Sequence, residues 1–182
     1  MHPRLAELVV YANAQRDALL VAVSIIPERL RDRRLDAERW SVGEVLEHLH
    51  RVETGVTRLL TRAIERAKAA GAVPEQEVSS VLGSLDSFGL TRRLRRVSAP
   101  ELVMPRGELT AAQSLAALEE SRRGLLAAIE SGNGLALGAI TYPHPLIGML
   151  NLYQWILFVG QHEARHAEQI RELGRGPMAR DG

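Results

Sequence analysis

SVGEVLEHLHRVETGVTRLLTRA, residues 41–63, is the stretch whose pattern sets the architecture. Ser41 and Glu44 stand at S-x-x-E spacing, where each side chain satisfies the backbone N–H of the other and so opens a helix. Val45, Leu49, Val52, Val56, Leu59 and Ala63 then recur every three or four residues and mark one apolar face. The pattern runs to about Ala70, and Gly71 is a natural stop. This is an amphipathic helix that must bury one side against other elements.

Three further segments read the same way. Leu5, Leu8, Val9, Ala12, Leu19, Val23 and Ile26 trace a first helix from about Leu5 to Ile26, ending near Pro27. Thr110 and Gln113 form a second capping box, opening a helix that runs to about Ser131, ahead of Gly132-Asn133-Gly134. Pro145 suits a first helical position, so the fourth helix is predicted over Pro145 to about Leu173, before Gly174. Between the second and third helices lies a long mixed stretch, Gly71 to Leu109, with Pro74, Gly83, Gly89, Pro100, Pro105 and Gly107 and a basic cluster of Arg92, Arg93, Arg95 and Arg96. It reads as a crossover with room for one short helix, long enough that helices two and three need not be antiparallel neighbours. The expectation is one all-α domain over residues 1–182: a four-helix bundle with a long crossover between helices two and three. The tail after Gly174 is expected to fray.

Composition agrees. Aromatics make up only 4% of the chain, and Ala and Leu dominate an apolar fraction of 46%, which favours helices over sheets. The net charge is +1, from 23 basic and 22 acidic residues, so no strong pull toward nucleic acid is expected. The absence of cysteine excludes disulfides, thiolate metal sites and a cysteine nucleophile, and fits a cytoplasmic protein. The most apolar stretch, Leu146 to Gly160, carries Asn151 and Gln154 and is short for a membrane span, so a buried helix is expected.

Helical geometry sorts the six histidines. At 100° per residue, His48 lies roughly 60° from the centre of the inward face of helix two, whereas His50 lies roughly 140° away. His162 and His166 are four residues apart and project together from the face that carries Trp155, Phe158, Gln169 and Leu173. Two imidazoles entering a core need polar partners, and an i, i+4 pair can place both on one ion. The spacing equally fits ordinary hydrogen-bonded core histidines. His144, ahead of Pro145, reads as a turn residue, and His2 is terminal.

The run Trp40-Ser-Val-Gly-Glu-Val-Leu-Glu-His48-Leu49 resembles the first signature of the DinB-like family. His144-Pro-Leu-Ile-Gly148, followed by Gln154-Trp155 and His162-Glu-Ala-Arg-His166-Ala-Glu-Gln169-Ile170, resembles the second. The resemblance implies a four-helix bundle holding a divalent ion, zinc or nickel, on His48, His162 and His166, with Gln169 as a supporting residue. Glu44, Glu47, Glu53 and Glu163 could assist, although each reads first as part of a solvated helix face; Glu44 and Glu163 join Gln169 as candidates for supporting the ligands.

Three neutral imidazoles leave an ion its full charge and an open position, the mark of a catalytic rather than a structural zinc site. Such an ion can lower the pKa of a bound water to about 7 or stabilise a bound thiolate. The resemblance implies low-molecular-weight-thiol chemistry or hydrolysis. Since the chain lacks cysteine, any reactive thiol must come from a cosubstrate. The expected function is therefore a metal-dependent thiol S-transferase acting on a small molecule. The alternatives are a metal-dependent hydrolase or a non-catalytic metal-binding stress protein. A homodimer is also expected, with Val9, Val10 and Tyr11 broadening the apolar stripe of helix one.

Overall fold

The computed structural model describes residues 1–34, 38–92 and 98–175. Among these, four long helices carry the structure: α1 (Pro3–Ser24), α2 (Val42–Ala69), α3 (Ala111–Ser131) and α4 (Leu152–Arg175). Both predicted capping boxes form. Ser41 Oγ accepts from Glu44 N–H while Glu44 Oε2 accepts from Ser41 N–H, and Thr110 and Gln113 repeat the pattern.

The beginning of the fourth helix differs from expectation. Residues 141–151 form an antiparallel hairpin, β1 (Thr141–His144) and β2 (Gly148–Asn151), and α4 starts only at Leu152. Pro145, Leu146 and Ile147 are thus the hairpin loop rather than a first helical turn. Gly148 closes that loop at φ +86°, a conformation that glycine adopts without a Cβ clash. The true start of α4 is a third capping box: Asn151 Oδ1 accepts from Gln154 N–H at 3.0 Å, and Gln154 Oε1 accepts from Asn151 N–H at 3.0 Å. The fold is therefore mostly helical, with one small two-stranded hairpin.

Contacts along the helices give their directions. Gly43 lies against Ala111, Glu53 bonds Ser121 and Arg122, and Gly132 lies against Ile64, so α2 and α3 run parallel. Gly160 lies against Ala12, Glu163 bonds Arg16, and Gly174 lies against Ile26, so α1 and α4 also run parallel. At Gly160 the approach is close: a Cβ there would meet the Tyr11 ring at 2.8 Å.

A parallel α2–α3 pair requires the chain to return along α2, which at 28 residues is about 42 Å long. The crossover makes this return and contains two short 3-10 segments, Leu82–Phe88 and Glu101–Val103. Its start is pinned by the Pro74–Leu135 bridge and by Glu75, which takes a hydrogen bond from Tyr153. Its end is pinned on α2. Of the four arginines in its basic cluster, Arg93, Arg95 and Arg96 lie outside the described residues.

The core has two apolar parts. One gathers Leu8, Val56, Leu60, Leu125, Ile129 and Ile156; the other gathers Leu19, Val45, Leu46, Leu49, Leu118 and Ile170. Buried polar residues from all four helices lie between them along the chain: Arg16, Glu53, Ser121, Arg122 and Glu163. No helix among the described residues is long and apolar enough to cross a membrane.

Candidate metal centre

The helix faces place His48, His162 and His166 together. His162 Nε2 lies 3.2 Å from His48 Nε2 and 3.1 Å from His166 Nε2. His48 is 3% exposed and His166 7%. Burial holds the His48 ring below its ordinary pKa against the raising effect of its bond to Val103. Burial pushes His162 well below its ordinary value, and the adjoining His166 and His48 add to the effect. Both shifts favour the neutral ring, the form in which an imidazole can hold an ion.

Their outer nitrogens decide where the protons reside. His48 Nδ1 donates to the Val103 carbonyl at 2.7 Å, since a carbonyl only accepts. His166 Nδ1 donates to Gln169 Oε1 at 2.8 Å. A neutral ring has one proton, so the Nε2 atoms of both His48 and His166 present lone pairs toward His162 Nε2. His162 can donate to only one of them. The other Nε2 lone pair is left with no proton to accept, an arrangement that a cation at the centre relieves. The separations also fit: ligands about 2.0–2.1 Å from a tetrahedral zinc stand about 3.3 Å apart. The three histidines could therefore form a metal site.

Neighbouring residues hold the rings in place. Glu47 Oε1 and Oε2 accept from the N–H groups of Arg106 and Gly107, and Arg51 donates to the Leu102 carbonyl. Together they fasten residues 102–107 to α2 and so present the Val103 carbonyl to His48. The Trp40 ring lies 5.0 Å from that of His48, and Phe158 stacks on His162 at 5.2 Å. This shell of backbone carbonyl, amide and rings orients the three imidazoles, as outer partners do in metal sites.

A family comparison agrees with this geometry. The model of the DinB superfamily matches residues 11–170. The chain belongs to the DinB superfamily. It is also 32% identical over 138 residues to the uncharacterized protein YuaE of Bacillus subtilis (strain 168), covering 75% of this chain and 78% of that protein. No solved structure gives a significant match.

The other residues singled out from sequence divide into those near the DinB histidines and those engaged elsewhere. Gln169 touches His166. Glu44 instead completes the α2 cap and binds Arg34. Burial raises its pKa, but the Arg34 and Ser41 hydrogen bonds outweigh that and hold it below the carboxylate range. Glu163 gives Oε1 to Arg16 and Oε2 to Arg122. Glu53 binds the same two arginines and Ser121. Glu47, Glu53 and Glu163 are all buried, which corrects the expectation of solvated helix faces. Backbone, hydroxyl or guanidinium donors rather than solvent occupy each of them, and at Glu163 burial raises the pKa in spite of Arg122 and Arg16. His50 does not join the cluster. His144, read from sequence as a turn residue, ends β1 with its ring 4.6 Å from Phe158 and 5.0 Å from Trp155.

Proposed function

We propose that this protein is a divalent-metal-dependent enzyme that holds zinc or nickel on His48, His162 and His166 and acts as a low-molecular-weight-thiol S-transferase. The observation that carries the metal reading is the pair of lone pairs, fixed by Val103 and Gln169, that converge on His162. The four long helices are read as the four-helix bundle of the family, with the crossover closing one side of the site. When bound, the ion supplies an open position at which a thiol is activated for attack on an electrophile. The chain itself has no cysteine, so the thiol is a cosubstrate. The neutral donor set leaves positive charge to favour an anionic sulfur.

The residues divide the work. His48 and His166 have their tautomers set by Val103 and Gln169, so each offers Nε2 without rearrangement. Trp40 and Phe158 cover two of the ligand rings and limit water there. Glu47 and Arg51 position the segment that carries Val103.

The test is metal analysis followed by cobalt substitution. His48→Ala, His162→Ala and His166→Ala should each lose most of the bound metal, whereas His50→Ala should keep it. Cobalt-loaded wild-type protein should develop an intense near-ultraviolet charge-transfer band with bacillithiol, mycothiol or glutathione. Equal metal content in all four variants overturns the ligand assignment. Metal retained without any thiolate band, together with turnover of esters or amides, replaces the transferase with a hydrolase.

A further inference from the structure

Residues 102–107 form a strap along α2 beside His48, and no residue from Glu101 to Thr110 is buried. Leu102 is 82% exposed and Met104 40%. Apolar burial therefore does little to fix the strap. Its place is set by three neighbouring side chains of α2. Glu47 Oε1 accepts from Arg106 N–H at 3.0 Å, and Glu47 Oε2 accepts from Gly107 N–H at 2.9 Å. Arg51 Nη2 donates to the Leu102 carbonyl at 3.0 Å, and His48 Nδ1 to the Val103 carbonyl at 2.7 Å.

Glu47 is the strongest of these anchors. It is only 2% exposed, and hydrogen bonds to a carboxylate exceed those between neutral groups. Successive backbone N–H groups turned to one side form a concave seat for an anion. Gly107 makes that turn at φ +69°, which a side chain would strain although open space surrounds the position. Glu47 and Gly107 are thus matched halves of one clamp. The clamp sits one residue from His48, so it and the imidazole grip the strap from the same turn of α2.

The strap in turn fixes the proton of His48. With the Val103 carbonyl as acceptor, the proton stays on Nδ1, and Nε2 presents a lone pair toward His162. With the strap released, Nδ1 loses that acceptor. The ring is then free to carry its proton on Nε2, where it blocks the nitrogen that faces the other histidines. One hydrogen bond therefore serves two equilibria. We propose that the strap and the metal centre are reciprocally coupled, with Glu47 as the positioning residue: a docked strap tightens metal binding, and a bound ion tightens the strap. This rests on the metal reading of the three histidines, and it holds whether the site activates a thiol or water. Linkage requires the two effects to share one factor.

Zinc is the probe, and the full chain is used throughout. In wild-type protein, zinc should slow hydrogen exchange at the Arg106 and Gly107 amides by about tenfold or more. That slowing is counted beyond any change at the Ala111 amide, which is bonded to Asp32 rather than to the clamp. Glu47→Ala should weaken zinc binding by about 10–100-fold, the usual cost of losing an outer partner. Glu47→Gln keeps one acceptor and should lose less. Gly107→Ala strains the clamp from its other half, leaves every side chain of α2 in place, and should also weaken zinc binding. In metal-free Glu47→Ala, the His48 ring nitrogens should shift in the magnetic resonance spectrum from the Nδ1–H toward the Nε2–H pattern, a change that a loss of stability elsewhere does not produce. Zinc affinity unchanged in Glu47→Ala, a His48 pattern unchanged in that variant, or Arg106 and Gly107 amides indifferent to zinc overturns the coupling and leaves the ligand assignment standing. Zinc that binds equally with and without His162 brings down the metal reading, and the coupling with it.

Discussion

Two buried polar clusters adjoin each other on α2 and α4, and they are satisfied in opposite ways. His48 precedes Glu53 by five residues, and His162 immediately precedes Glu163. The arginine–glutamate quartet is complete in itself. Two guanidinium groups face two carboxylates, the Glu163 oxygens are shared between Arg16 and Arg122, and the spare guanidinium N–H groups reach the Leu118 and Ala12 carbonyls. Burial opposes the charge of Arg16, but Glu163 and Glu53 outweigh it and raise its pKa. The histidine cluster is equally ordered on its outer side and incomplete on its inner side. The difference teaches that burial and polarity alone do not identify a functional site. A buried cluster that balances its own charges and protons ties helices together, whereas one whose lone pairs converge without enough protons to share has the donors to hold a cation.

Breaking the quartet should have the largest effect. Glu163→Ala strands Arg16 and Arg122 in the interior. Removing one partner of a buried pair costs about 3–5 kcal/mol. Denaturant unfolding should show that loss in metal-free and metal-loaded protein alike. A loss seen only with metal present would transfer Glu163 from the scaffold to the metal centre.

Filling the histidine cluster should come next. Zinc at about 100 times its Kd should stabilise the folded protein by about 2.7 kcal/mol, through binding to the native state alone. The increment appears as a rise in Tm that a chelator reverses and that His162→Ala abolishes. A Tm indifferent to zinc would make the two clusters alike.

The smallest effect is the sharpest test of the contrast. In metal-free protein, His162→Phe removes a ring that has no good partner inward and keeps most of its volume. The change withdraws at most one hydrogen bond from a neighbouring Nε2, a loss of about 1–3 kcal/mol, so the unfolding free energy should fall by less than it does in Glu163→Ala. A cost comparable to that of Glu163→Ala would mean that the histidines hold the fold together without an ion.

The comparison also shows where the sequence was readable. Arg16 lies between Ala12 and Leu19, Glu53 between Leu49 and Val56, and Arg122 between Leu118 and Leu125. Each therefore stands on the apolar stripe of its own helix, which was the available sign that it is buried. Spacing alone does not say which opposite charge it will meet, because the partners come from other helices. The hairpin was missed for a different reason. Pro145 suits both a first helical turn and a tight loop, and residues 146–150 are apolar enough for either. Asn151 and Gln154 held the better signal, since an N-x-x-Q pair can cap a helix as S-x-x-E does.

Local patterns that act within a few residues were thus legible in the chain by itself: the faces of α1 and α2, the caps at Ser41 and Thr110, and the projection of His162 and His166 from one side of α4. These follow from backbone hydrogen bonding and a 3.6-residue period, which depend on near neighbours. Tertiary structure decided the rest. It brought His48 onto His162 across 114 residues, placed the Val103 carbonyl on the outer nitrogen of His48, and set His144 one ring from the centre. A carbonyl is common to every residue and leaves no mark in a sequence. Only the path of the crossover, returning along a parallel pair of helices, determines which one meets the histidine and so which of its nitrogens is left to face His162.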